Sequence, residues 1–222
     1  MSDNAMALSR RFLGLSVDKR RLFLGQLQRQ GLDLSALPIP SDVAGAVSPA
    51  SYAQQRLWFI EQLEPGNPAY HLPGVLRLRG PLDRSALQQA FDTLARRHHS
   101  LRTRFQADEG GDPVQVVEPG IEVNIESLSA RTDAEFEAQV RELARRPFDL
   151  TEAPLWRVAL VRMGEQDHRL VLCLHHLIAD GWSIQVLLSE FAQGYRAAVA
   201  GQAPELPPLP LQYPDVALWQ RR

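Results

Sequence analysis

Hydrophobic positions along this chain recur sometimes every three or four residues and sometimes every second residue, and the changes of period mark out its elements. Residues 1–17 lack a sustained period and are expected to form a flexible N-terminus. From Asp18 to Gln30, Leu22, Leu24 and Leu27 sit among Arg, Lys and Gln, which predicts a short amphipathic helix closed by Gly31. Pro38, Pro40 and Pro49, with Ser41, Gly45 and Ser48, then read as a linker. Residues 18–47 are therefore a leader helix and Pro-containing linker, and the main body occupies residues 48–222.

Within the body, Leu57, Trp58, Ile60 and Leu63 predict a helix over Ala53–Leu63, stopped by Pro65-Gly66-Asn67-Pro68. Val75–Arg79 alternates as a half-buried strand does. Asp83 is a suitable N-cap for a helix reaching about His99, with Leu87, Phe91 and Leu94 on one face. Strands are expected at Leu101–Gln106 and Pro113–Val117, around a turn at Asp108–Asp112, and again at Ile121–Ile125. A helix is expected over Asp133–Arg145, and a hairpin joins Leu155–Met163 to His168–Leu174. The last helix spans about Ser183–Ala200, and Pro204, Pro207, Pro208, Pro210 and Pro214 then predict an extended rigid segment. Interleaved helices and strands without a repeat indicate an α/β sandwich around a mixed sheet.

Composition narrows the function classes. The 222 residues are 45% hydrophobic and 23% charged, enough to bury a full core. With 24 basic against 26 acidic residues, nothing favours a nucleic-acid partner. No apolar run approaches the roughly 20 residues of a membrane-spanning helix. Cys173 is the single cysteine, so neither an internal disulfide nor a cysteine-rich zinc site is available, and a reducing, cytoplasmic setting is expected. Ser9-Arg10-Arg11-Phe12-Leu13 mimics a twin-arginine export signal, but Asp18-Lys19-Arg20-Arg21 closes the apolar stretch too early.

The chemistry concentrates in Leu174-His175-His176-Leu177-Ile178-Ala179-Asp180-Gly181-Trp182-Ser183. An apolar strand ends in two histidines, and a turn with Asp-Gly leads into a helix, which is where α/β folds gather ligands and catalytic groups. Strand alternation sends His175 and His176 to opposite faces, one into a cleft and the other into packing. Gly181 is read as the residue that permits the turn, and Asp180 as one that pairs with a cation or fixes the loop. A core histidine, a surface histidine and a turn Asp-Gly is the plainer reading. Zinc ligation by the two histidines and Asp180 is disfavoured, since neighbours facing opposite ways share a coordination sphere poorly.

His175-His176-Leu177-Ile178-Ala179-Asp180-Gly181 resembles the HHxxxDG signature of nonribosomal peptide synthetase condensation domains, relatives of chloramphenicol acetyltransferase. Three further stretches resemble core motifs of that family in its own order: Ser51–Phe59, Arg97–Phe105 and Tyr213–Trp219. His99 stands where the second of the family's motifs usually has an acidic residue. The resemblance implies a chloramphenicol acetyltransferase-like sandwich forming one lobe, the N-terminal half, of a two-lobed condensation domain whose C-terminal lobe would follow. It implies joining of two substrates carried as thioesters on the phosphopantetheine arms of upstream and downstream peptidyl carrier domains, beside an adjacent adenylation domain. The chain itself would bind no cofactor and no metal.

By the same resemblance His176 lies nearest the reacting amine, Asp180 pairs with Arg102 to support the site, and Gly181 and His175 complete the catalytic set. The histidine pair argues against the heterocycle-forming subtype, and the wording of the first motif resembles the subtype joining two L-configured units. Gln54, Arg56 and Trp58 are read as framework, His175, Trp182 and Ser183 as packing and capping residues, and His98 and His99 as solvated or as helix C-terminal charge partners. Two other readings stand beside this one: an acyltransferase of the same superfamily using coenzyme A or a carrier, and a non-catalytic half-domain that docks carrier domains.

Overall fold

A computed structural model describes residues 3–29, 38–41 and 45–221. Helices α1 (Asp3–Leu13) and α2 (Val17–Arg29) come first. They are followed by strand β1 (Val47–Pro49), helix α3 (Tyr52–Leu63), strand β2 (His71–Arg79) and helix α4 (Arg84–Arg97). Strands β3 (Thr103–Ala107), β4 (Pro113–Val117) and β5 (Ile125–Ser129) precede helix α5 (Asp133–Arg145). Strands β6 (Trp156–Arg162) and β7 (Asp167–His175) lead to helices α6 (Gly181–Val199) and α7 (Tyr213–Gln220).

The central sheet is mixed, in the order β2-β7-β6-β5, with β5 parallel to β6 and the other pairs antiparallel. A separate three-stranded antiparallel sheet, β1-β4-β3, stands beside it. Alternation divides the central strands between two cores. Trp156, Val158 and Leu160 of β6 and Leu170 and Leu174 of β7 pack with Leu87, Phe91 and Leu94 of α4 and Phe191 of α6. The intervening Ala159, Val161 and Val171 pack instead with Leu143, and with Phe136 and Val140 of α5. Helices thus cover both faces of the sheet, as the period-2 pattern requires when neither face is left to water. The indole N–H of Trp156 donates to the Leu101 carbonyl at 2.7 Å, so this buried aromatic keeps its polar edge satisfied.

Several boundaries differ from those expected. Within residues 1–17, expected to be a flexible N-terminus for want of a sustained period, Asp3–Leu13 is helical. Phe12 there is buried and meets Phe23 of α2 with ring centroids 5.5 Å apart, so contact between two helices supplies what local periodicity does not show. Leu22, expected on the inner face of α2, is 69% exposed. The stop at Gly31 lies outside the described residues. The strand expected at Ile121–Ile125 is displaced to Ile125–Ser129, where parallel pairing with Val158–Arg162 fixes its register. Leu101 and Arg102 fall in a 3₁₀ turn (His99–Arg102) ahead of β3 rather than in the strand. Pro214, expected in an extended segment, lies in the first turn of α7, where a missing N–H costs nothing.

Candidate active site

β7, an inner strand of the central sheet, delivers the two histidines at its C-terminal end. The His175 N–H donates to the Leu155 carbonyl at 2.9 Å and the His176 N–H to the Tyr70 carbonyl at 2.8 Å, so backbone pairing holds both on fixed sides of the strand end. A turn follows, closed by the Ile178 N–H on the His175 carbonyl at 3.0 Å. Helix α3 clamps it from outside. Its buried Gln54 donates from Nε2 to the Leu177 carbonyl at 3.1 Å, and its N-terminus is fixed by a capping box between Ser51 and Gln54.

The two histidines have different surroundings. His175 is 1% exposed, and its Nδ1 accepts the Leu177 N–H at 3.1 Å. Burial, with smaller contributions from His71 and His176, pushes its pKa down to about 4, so it is a neutral packing residue at physiological pH. His176 is half-buried and lines an open cavity of about 700 Å³ with Gln54, Leu57, Ser100, Asp180, Ser183 and Tyr213. A cavity of similar size, about 670 Å³, lies between the sheet and helices α4 and α6, but its walls are apolar and hold no titratable side chain. Of these two cavities, only the one that His176 enters has titratable groups in its wall.

Asp180 is the N-cap of α6. Its Oδ1 accepts the Ser183 N–H at 2.8 Å and the Ser183 hydroxyl at 2.6 Å, and these bonds hold its carboxyl below the usual carboxylate range. The pairing with Arg102 implied by the resemblance is not formed. Arg102 stands at the end of a 3₁₀ turn, and its guanidinium donates to the carbonyl of Glu118, just past the end of β4. It lines a different cavity, with His99, Gln212 and Asp215, and burial lowers its pKa from the ordinary arginine value. Gly181 is the first residue of α6, outside the positive-φ glycines, and a Cβ there would meet nothing within 4 Å. The turn does not require glycine.

These placements give a stability prediction. Asp180→Ala should cost about 1 kcal/mol, the loss of a helix cap, where breaking a buried ion pair would cost about 3–5 kcal/mol. Gly181→Ala should leave stability within about 0.5 kcal/mol of the wild type. Urea unfolding of both variants decides it. A loss above about 3 kcal/mol for Asp180→Ala would restore a buried partner for the carboxylate.

The remaining expectations divide. Trp182, expected to pack, is 76% exposed, because as the second residue of α6 it points away from the sheet. His98, expected to be solvated or to answer a helix terminus, is half-buried, and its Nε2 lies 2.7 Å from Glu190 Oε2. Tyr213, not expected as a site residue, stands in the wall of the His176 cavity with its hydroxyl 3.0 Å from Ser51 Oγ. Its place in the fourth motif was the available signal. Among the described residues no group of His, Cys, Asp and Glu has a geometry that could hold a metal ion, and no helix is long and apolar enough to cross a membrane.

Helices on both faces of a mixed sheet, with a histidine leaving the end of a central strand for an open cavity, define a chloramphenicol acetyltransferase-like lobe. The model of the Condensation domain family matches residues 45–222, and the chain belongs to that family. It is 43% identical over 188 residues to cyclosporin synthetase simA of Tolypocladium inflatum, covering 83% of this chain and 1% of that protein. It is 41% identical over 225 residues to phosphinothricin tripeptide synthetase PhsC of Streptomyces viridochromogenes, covering 97% of this chain and 20% of that protein. Among solved structures, the X-domain from teicoplanin biosynthesis superposes with a TM-score of 0.76 at 33% identity, over 83% of this chain and 40% of that one. The first condensation domain of the CDA synthetase shares the fold, with a TM-score of 0.67 at 24% identity over 72% of this chain and 42% of that one. The chain thus spans a fifth or less of these two synthetases and about two-fifths of the solved domains.

Proposed function

We propose that this chain is the N-terminal lobe of a cytoplasmic nonribosomal peptide synthetase condensation domain that joins two L-configured units. The acceptor's α-amine, carried on the phosphopantetheine of a downstream carrier domain, attacks the thioester carbonyl of the donor on an upstream carrier. The C–N bond forms, the C–S bond breaks, and the donor's pantetheine leaves as a thiol that takes up the amine's proton. An adjacent adenylation domain supplies the activated amino acid. The observation that carries this reading is His176, held at a strand end and facing an open cavity beside the capped N-terminus of α6.

Among the described residues His176 is the one histidine lining that cavity, and it accepts or positions the amine's proton as the tetrahedral intermediate forms. An α-amine with a pKa of about 7.7–8.0 is already partly uncharged at neutral pH, so orientation matters at least as much as basicity. Asp180 fixes the start of α6, and the open space at Gly181 leaves room for the approaching arms. Arg102 supports the fold near Glu118 and takes no part in the His176 cavity. The solved domains are more than twice the matched length, which supports a second lobe as the opposite wall of the cavity.

Two loaded carrier domains, mixed with this chain alone or with the chain extended through a second lobe, test the proposal by intact-protein mass spectrometry. Dipeptidyl carrier is expected only with the extended form. Carrier binding without any turnover by that form would overturn the reading in favour of a docking half-domain. Equal turnover of coenzyme A thioesters would favour the acyltransferase.

A further inference from the structure

We propose that Glu61 and His71 orient His176 from behind, through His175 and one enclosed water. The inference rests on the reaction proposed above only for its kinetic consequence; its structural content stands apart from it. Three elements converge behind the strand end. Glu61 of α3 is 5% exposed, His71 at the start of β2 is 6%, and His175 at the end of β7 is 1%. His71 and His175 are register partners across the antiparallel pair, with ring centroids 5.7 Å apart. Phe148 closes the group edge-on, at 4.9 Å from the His71 ring and 5.9 Å from the His175 ring.

The hydrogen-bond inventory of this cluster is specific. His71 Nδ1 lies 2.7 Å from the Ala144 carbonyl, which accepts only, so Nδ1 carries a proton, and in the tautomer this fixes for a neutral ring Nε2 offers a lone pair. His175 Nδ1 accepts the Leu177 N–H at 3.1 Å, so its ring is neutral with the proton on Nε2. Glu61 Oε1 accepts the Gly66 N–H at 2.7 Å, which leaves Oε2 as an acceptor. The atoms that remain, Glu61 Oε2, His71 Nε2 and His175 Nε2, are all buried and have no hydrogen-bond partner among the described residues. His175 Nε2 and Glu61 Oε2 are 3.8 Å apart, too far for a direct hydrogen bond and close enough for one water to touch both.

One donor and two acceptors are what a single water completes. It accepts the His175 Nε2–H, and donates to Glu61 Oε2 and to His71 Nε2. A cation is a poorer occupant, because the His175 Nε2–H points inward and these residues do not have the geometry of a metal site. Unpartnered polar atoms are rare in protein interiors, and buried waters commonly make about three such bonds.

The consequence reaches His176 through the backbone. Fixing the His175 proton on Nε2 keeps its Nδ1 free to accept the Leu177 N–H, which shapes the turn behind His176. The elements that carry the cluster also grip that turn. Gln54, two helical turns before Glu61 on α3, holds the Leu177 carbonyl. Tyr70, the neighbour of His71, accepts the His176 N–H. A flipped His175 ring would present its Cδ2–H to the Leu177 N–H, and the other tautomer an Nδ1–H, and either would release the turn. Glu61 and His71 are positioning residues in this arrangement and touch no reacting atom.

Two measurements test it. In the 222-residue chain labelled with ¹⁵N-histidine, His175 should show a single Nε2–H tautomer, neutral until the pH nears 4, with cross-relaxation from that proton to a long-lived water. An Nδ1–H tautomer, or a mixture of the two, would overturn the proposal whatever the activity. In the extended two-lobed domain, Glu61→Leu should lower kcat roughly 10- to 100-fold with KM for both loaded carriers within about twofold, as a misplaced catalytic group does. Glu61→Gln, whose amide oxygen keeps the Gly66 N–H while its Nε2–H donates to the same water, should stay within about threefold of the wild type. Equal losses in the two variants would reduce Glu61 to packing and sink the idea. If the wild-type extended domain makes no peptide bond, the proposed function fails, and the tautomer measurement still decides the cluster.

Discussion

In the extended two-lobed domain of the proposed function, replacing His176 by alanine should lower kcat for peptide-bond formation about 100-fold, with KM for the loaded carriers within twofold, at the lower edge of the range for a positioned acid–base group. The fold should survive, because the backbone N–H of His176 bonds the Tyr70 carbonyl whatever the side chain, and the imidazole faces an open cavity. The size of the loss follows from the substrate. An α-amine near its pKa needs less help to lose a proton than a serine hydroxyl does, so holding it in line with the thioester is the larger task. The pH profile separates the two roles. A gap between wild type and His176→Ala that stays constant from pH 7 to pH 9 is the positioning result. A gap that closes as the amine deprotonates would show that His176 acts mainly as a base. A full rate in the variant, with an unchanged melting temperature, would remove His176 from the site altogether.

Much of the scaffold around that histidine was legible in the sequence. Asp133–Arg145 and Pro113–Val117 occur where the local pattern places them, and Asp83 caps α4 through the Ala86 N–H at 2.9 Å. These features depend on residues within a few positions of one another, which periodicity and capping chemistry report directly. β5 was misplaced because alternation across Ile121, Val123 and Ile125 is as good a strand pattern as the true one, and only pairing with β6 selects the register. Val123 is buried without belonging to a strand.

The site divides in the same way. His175 and His176 on opposite faces follow from period-2 geometry, and Asp180 with Ser183 follows from N-cap spacing. The link from Asp180 to Arg102 was carried by resemblance alone, and the local bond to Ser183 takes its place. Glu61 and His71 gave no sequence signal. Glu61 reads as a surface residue of an amphipathic helix and His71 as a strand end, and only tertiary packing brings them to His175.

Glu190→Ala should destabilise the protein by about 3 kcal/mol, the lower end for stripping one partner from a buried ion pair. Glu190 lies on α6, and both its oxygens accept from Arg97 Nε at the end of α4, at 3.1 and 3.0 Å, while His98 Nε2 lies 2.7 Å from one of them. The Arg97 and Glu190 side chains are only 16% and 10% exposed, so an unpaired Arg97 recovers little hydration. The loss stays at the lower end because Arg97 keeps a second acceptor, the Pro207 carbonyl at 2.5 Å. For a chain of this length that corresponds to a fall in Tm of roughly 6–12 °C. Glu190→Gln, which retains an acceptor oxygen, should cost about 1 kcal/mol. The consequence extends to the His176 cavity. Arg97 and His99 also hold Gln212 through their backbone, at 3.1 Å each, and Gln212 caps α7, which carries Tyr213 into the cavity wall. Glu190, outside every motif, thus braces Arg97 and His98 of the second motif, whose backbone in turn holds the residue that precedes the fourth. Thermal and urea unfolding of the two variants check the prediction, and equal losses in them would show that shape rather than charge holds this junction.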